Sequence, residues 1–198
     1  MKRRTALLWV LAQIGLIALV QAQPARSDHW VATWTTAQLL TRAAAPATPP
    51  GPSGPPSQSI GTRGFNNQTL RMIARVSIGG KRLRIKLANA FGGAPVALGA
   101  AHVALRAKGS EIVPGSDRPV TFGGKPGCAV GPGMVILSDP LDLAFPALAD
   151  LAVSLYFPAE TGPPTTHATG LHTTYISKEG DVTGAASIAD PITTQSKP

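Results

Sequence analysis

Few residues in this 198-residue chain could do chemistry, and their spacing argues against most of it. There are four histidines, His29, His102, His167 and His172, and one cysteine, Cys128. His167 and His172 lie five apart with Gly170 between them, and Cys128 is remote from both, so no metal-ligand spacing is present. Cys128 stands in Lys125-Pro126-Gly127-Cys128-Ala129 without a neighbouring His or acid, and it reads as a small buried hydrophobe rather than a nucleophile. A serine hydrolase of the nucleophile-elbow type needs Gly-x-Ser-x-Gly, and the chain has none. Gly180-Asp181-Val182 carries valine where a Gly-Asp-Ser block would place its hydroxyl. Gly115-Ser116-Asp117 reads as a turn, because Ser and Asp bond their own backbone. The residues therefore indicate no catalytic, cofactor-binding or metal-binding position.

The elements that would position any site read as short strands. Leu70, Met72, Ala74, Val76 and Ile78 alternate with Arg71, Ile73, Arg75 and Ser77. After Gly79-Gly80, Leu83, Ile85 and Leu87 alternate with Arg82, Arg84 and Lys86. Two glycines suit a tight hairpin turn, so the pattern predicts a hairpin pairing Ile78 with Lys81, Val76 with Leu83, Ala74 with Ile85 and Met72 with Leu87. Arg75 would then face Arg84 on its polar side. Further strand-like runs are Trp30 to Trp34, Val103 to Arg106, Val120 to Phe122, Met134 to Leu137, Leu151 to Phe157 and His172 to Ile176. Leu151, Val153, Leu155 and Phe157 read as the one apolar side of their strand. Ala144 to Ala149 offers a helical turn at most. Regular short runs between Pro/Gly/Asp turns predict an all-β, jelly-roll-like β-sandwich of about 8–10 short strands. Composition agrees: 21 Gly and 19 Pro with 5% aromatic residues exclude a coiled coil, one Cys excludes a disulfide scaffold, and 43% apolar residues suffice for a core.

The expected organisation is a signal peptide at 1–22, a short mature segment at 23–29, a β-sandwich at 30–192 with a Pro-rich loop at 43–64, and a tail at 193–198. Lys2-Arg3-Arg4, an apolar run from Thr5 to Val20 and the small-x-small exit Val20-Gln21-Ala22 have the form of an export signal. The run is shorter than the roughly 20 residues of a membrane span, so no stable anchor is expected after cleavage. The expected location is secreted or periplasmic, by either the general or the twin-arginine route.

The net charge of +8 is unevenly placed. From His29 to Ser110 there are ten Lys or Arg and no acid; from Glu111 onward there are nine acids and four bases. The basic stripe reads as a solvated outer face or as a docking face for another domain or an acidic ligand. Nucleic acid is not expected as a partner, because no aromatic residues interleave with the bases as stacking platforms.

Several segments, in collinear order, resemble the amino-terminal region of large secreted bacterial SGNH/GDSL-type hydrolases. They are Trp30-Val31-Ala32-Thr33-Trp34, Phe65-Asn66-Asn67-Gln68-Thr69-Leu70-Arg71, Leu87-Ala88-Asn89-Ala90-Phe91-Gly92, Ile112 to Asp117, Thr121-Phe122-Gly123-Gly124 and Asp150 to Tyr156. The resemblance runs from about Trp30 to Gln195 and implies a β-sandwich accessory domain. In that family such a domain precedes an α/β esterase domain with a Gly-Asp-Ser nucleophile, an oxyanion-hole Gly and Asn, and a late Asp-x-x-His. None of these maps onto this chain, and Asn89 and His167 match accessory positions only. The expectation is a truncated ester hydrolase represented by its non-catalytic sandwich, inactive alone and partnered by a separate or missing SGNH catalytic domain. The alternative is a stand-alone secreted binding module for carbohydrate or a cell-surface polymer.

Overall fold

The computed structural model describes residues 29–37, 64–165, 167 and 170–194. The expected signal peptide, nearly all of the Pro-rich loop and the last four residues lie outside these. The described residues form twelve strands and no helix: β1 Gln68–Arg75, β2 Gly80–Leu83, β3 Lys86–Ala88, β4 Val96–Leu98, β5 Ala100–Leu105, β6 Arg118–Pro119, β7 Cys128–Val130, β8 Val135–Leu137, β9 Leu141–Phe145, β10 Asp150–Phe157, β11 Thr174–Ile176 and β12 Ile192–Thr194. The fold is all-β, with every pairing antiparallel.

The pairing is nested. β1 pairs with β10, β2 with β9, β3 with β8, β4 with β7 and β5 with β6. This is one long double-stranded ribbon whose tip lies between β5 and β6. It curls until its base strand β10 also pairs with β5, which gives the jelly-roll-like sandwich its first layer. That layer is a six-stranded sheet of order β12-β11-β1-β10-β5-β6. The two-stranded ribbons β2-β9, β3-β8 and β4-β7 carry the residues packed against it. The main core joins Val103, Leu151 and Leu155 of the sheet with Leu83, Leu98, Leu143 and Phe145 of the ribbons. Cys128 on β7 packs against this core, half-buried, and burial pushes its thiol above its ordinary pKa.

The hairpin expected at Gly79-Gly80 does not form. Met72 pairs with Val153 and Ala74 with Leu151, while Leu87 pairs with Ile136. The chain leaves β1 at Arg75, crosses between layers and enters β2 beside β9. Neither glycine adopts positive φ, which a tight two-residue hairpin turn needs. Gly79 is instead required by close approach: a Cβ there would lie 2.7 Å from the Phe145 carbonyl oxygen and 2.8 Å from the Ala147 nitrogen. The apolar sets do face one core, from opposite layers. Arg75 consequently faces Asp150, with Nη1 3.7 Å from Oδ1, and not Arg84.

Smaller differences have the same origin. Trp30 to Trp34 forms no strand, and Val120 to Phe122 is replaced by β6 at Arg118–Pro119. Residues 146–149 make a reverse turn with Leu148 at φ 61°, not a helical turn. β10 is buried on both sides, since Ala152 and Ser154 are covered as well as Leu151 and Leu155.

Candidate functional site

The outer face of the six-stranded sheet carries a connected row of polar side chains. In register across the strands run Tyr175 of β11, Arg71 of β1, Ser154 of β10 and His102 of β5. The alternation of β1 turns Arg71 away from the main core, as expected, yet its exposure is 0%. Two segments cover it, 106–116 and 177–190. They are joined to each other where Ile112 N donates to Ala186 O at 2.9 Å. Beneath them Ile73, Ala104, Ile112 and Ala152 form a second small core.

Arg71 holds both segments to the sheet. Its Nε donates to Ser154 Oγ at 2.8 Å, Nη1 to Ser110 O at 2.7 Å, and Nη2 to Thr183 O at 3.0 Å and Ala185 O at 2.8 Å. Burial lowers its pKa from the ordinary value while the charge of Asp117 works in the opposite direction. Among the described residues no carboxylate bonds it directly; the carbonyl oxygens of two loops take water's place. A guanidinium with donors fanned in one plane suits such a task, which the single ammonium of lysine could not perform. Neighbouring residues of β1 add to the clamp. Gln68 Nε2 donates to Ser177 O at 3.0 Å, and Thr69 Oγ1 donates to Gly180 O at 2.8 Å and accepts from Val182 N at 3.0 Å. Gly180-Asp181-Val182 is thus a tie-down on β1, and Asp181 Oδ1 accepts from both N and Oγ1 of Thr183.

Next to this network Asp117 Oδ2 lies 2.8 Å from His102 Nδ1. Ser154 is the β10 neighbour of His102, so the residue types of a Ser-His-Asp relay stand side by side. The geometry does not support catalysis. Ser154 is 2% exposed, and its Oγ accepts the Arg71 Nε–H. His102 bonds Asp117 and makes no hydrogen bond to Ser154 among the described residues. Gly184 packs over the imidazole, where an added Cβ would stand 3.3 Å from Cε1. A nucleophile needs its base within hydrogen-bond reach and room for the acyl carbon, and both conditions fail. The signal for this cluster was a polar His102 amid the alanines of β5, but its partner fifteen residues on is fixed by the β5-β6 register, which composition does not reveal.

The other residues singled out by type take framework roles. Ser116 Oγ donates to Val113 O at 2.7 Å and accepts from Leu105 N at 3.1 Å, with Gly115 at φ 77°, so this segment is the turn it was expected to be. Asn89 Nδ2 donates to Ala94 O at 2.9 Å and to Val130 O at 3.0 Å, and Gly92 packs on the same amide. His167 Nδ1 contacts Ala37 O at 3.0 Å, on a shallow depression of about 240 Å³ lined by Trp34, Ala37, Gly170 and Leu171. That volume is below the roughly 300–1,000 Å³ of ligand pockets. Among the described residues no group of three or more His, Cys, Asp or Glu could hold a metal ion. Compared with models of known protein families and with curated protein sequences, the chain gives no match.

Proposed function

We propose that this chain carries the non-catalytic β-sandwich of an exported SGNH/GDSL-type ester hydrolase. One observation carries the reading. The segments through which the resemblance runs converge on structural tasks: Gln68, Thr69 and Arg71 clamp the covering loops, Asn89 ties two turns, Ser116 closes one, and Asp150 bonds Arg106 at 3.0 Å. The residues that carry the resemblance hold the sandwich together, and framework roles at these positions support the accessory-domain reading.

Two measurements test the proposal. The purified chain should turn over p-nitrophenyl esters no faster than background; turnover abolished by Ser154→Ala or His102→Gln would mean that the sandwich is itself an esterase. The DNA downstream of codon 198 should encode a Gly-Asp-Ser frame. Its absence, combined with specific retention of the chain on a cell-wall polysaccharide, would favour the stand-alone binding module.

A further inference from the structure

Two peptide bonds among the described residues join an aspartate to a proline, Asp139–Pro140 and Asp190–Pro191. Such a bond is vulnerable from within. The side-chain carboxylate can close a five-membered ring on its own carbonyl carbon, and the tertiary prolyl nitrogen leaves once protonated. The fold treats the two bonds differently. Asp139 Oδ2 accepts from Gly124 N and from Thr121 Oγ1, each at 2.7 Å, and Oδ1 accepts from Gly123 N at 3.2 Å. Its carbonyl oxygen accepts from Ser138 Oγ at 2.9 Å, so carboxylate and carbonyl are each fixed by partners. Among the described residues the Asp190 carboxylate meets only Lys178 Nζ, 3.5 Å from Oδ2, and the side chain is 86% exposed. Its backbone is strained instead. Asp190 has φ 41°, in the left-handed region, although a residue before proline is driven toward extended conformations. The strain is held from both sides. Ile188 is buried and its N donates to Ser110 Oγ at 3.2 Å, while Ile192 pairs with Ile176 at the start of β12. A segment anchored at 188 and 192 cannot relax at 190 without giving up one anchor.

We infer that Asp190–Pro191 is a self-cleavage site, at which the folded chain cuts itself under mildly acidic conditions. A carboxylate oxygen of Asp190 bonds to the Asp190 carbonyl carbon, and the bond from that carbon to Pro191 N breaks. The electron pair of the broken bond stays on nitrogen, which takes a proton from solvent and becomes a new amino terminus. Water then opens the five-membered anhydride and restores both carboxyl groups, so nothing is oxidised or reduced. Breaking the bond lets Asp190 leave the left-handed region, so strain held in the folded chain is relieved on the way to product. The cut detaches β12, an edge strand joined to β11 by three residue pairs, and leaves β1, β10 and the Arg71 clamp on one uncut segment. Cleavage here is independent of the accessory-domain reading, because it uses only this bond and its neighbours.

The test is intact-mass spectrometry of the chain from Gln23 onward, held in mildly acidic buffer in which circular dichroism shows the fold retained. Fragments 23–190 and 191–198 should accumulate, while Asp139–Pro140 stays whole. In urea at the same acidity Asp190–Pro191 should be cut about ten-fold more slowly, the factor that one strained left-handed residue represents. Asp139–Pro140, freed of its partners, should then be cut at a similar rate. Asp190→Ala removes the attacking carboxylate and should abolish both fragments, with its fold checked in the same way. Absence of cutting at Asp190–Pro191, equal cutting of the two bonds in the folded chain, or fragments that persist in Asp190→Ala would each overturn the inference. So would a rate at Asp190–Pro191 that is unchanged or raised in urea.

Discussion

Replacing Arg71 by methionine keeps most of the aliphatic volume and removes every donor that joins segments 106–116 and 177–190 to the sheet through this side chain. Hydrogen bonds from a charged donor contribute about 1.5–3 kcal/mol each, so four amount to roughly 6–12 kcal/mol gross. Dehydrating the guanidinium takes back several kcal/mol. The expected net loss is about 4 kcal/mol, which at about 2–4 °C per kcal/mol for a domain of this size lowers Tm by roughly 8–16 °C. Urea denaturation measures the global change, and native-state hydrogen exchange locates it. Protection should fall first at Ile112, whose amide bonds Ala186 O, and at Val182, and far less at Asn89 on the opposite ribbon. Arg71→Lys should recover less than half of the loss, because one ammonium cannot reach acceptors on both loops and Ser154 together. A loss under about 1 kcal/mol, or protection falling equally on both layers, would refute the argument that Arg71 pins the covering loops.

Other contacts lead to three more expected outcomes. Gly92→Ala places a Cβ against the Asn89 amide, within van der Waals overlap of Oδ1 and 2.7 Å from Cγ, so Asn89 must surrender its bonds to Ala94 O and Val130 O; a loss of about 1–3 kcal/mol in thermal denaturation is expected. Asp139 is held below its ordinary pKa chiefly by the Gly124 N–H, then by the Thr121 hydroxyl. A depressed folded-state pKa contributes stability above the unfolded-state value and loses it as pH falls through the folded one. The Tm gap between the wild type and Asp139→Asn should therefore be full at neutral pH and close as the solution is acidified below the ordinary carboxylate range. Cys128, its thiol raised by burial, should react slowly with a disulfide reagent near neutral pH and quickly in denaturant; equal rates would show that it is open to solvent.

Side-chain faces were legible in the sequence, and strand partners were not. The alternation of Leu83, Ile85 and Leu87 with Arg82, Arg84 and Lys86 is borne out in side and sign, because a half-buried ribbon must obey a period of two. The same alternation in β1 suggested a neighbour just across Gly79-Gly80, whereas the true neighbour is β10. A face repeats locally, but a partner is chosen by the closure of the whole ribbon. Arg71 was placed correctly on the side away from the main core, but neither a solvated face nor a docking face anticipated the two loops of its own chain that bury it. The small Ala152 and Ser154 on the outer side of β10 were the available sign that something packs there, since small residues make room for a covering layer. The relay-like trio of Ser154, His102 and Asp117 was invisible because its members come from three segments brought together by register alone.

The nested pairing also orders assembly in time. β5 and β6, at the tip, are separated only by residues 106–117 and can meet early, at the smallest loop-closure cost in the ribbon. β1 has no partner in its layer until β10 has been synthesised, and the second edge of β5 likewise waits for β10. Much of the chain therefore stays unclosed until residue 157 is available, and high contact order then slows the closure of the sandwich. The two layers are therefore sealed last, by strands that arrive after most of the ribbon has already been made.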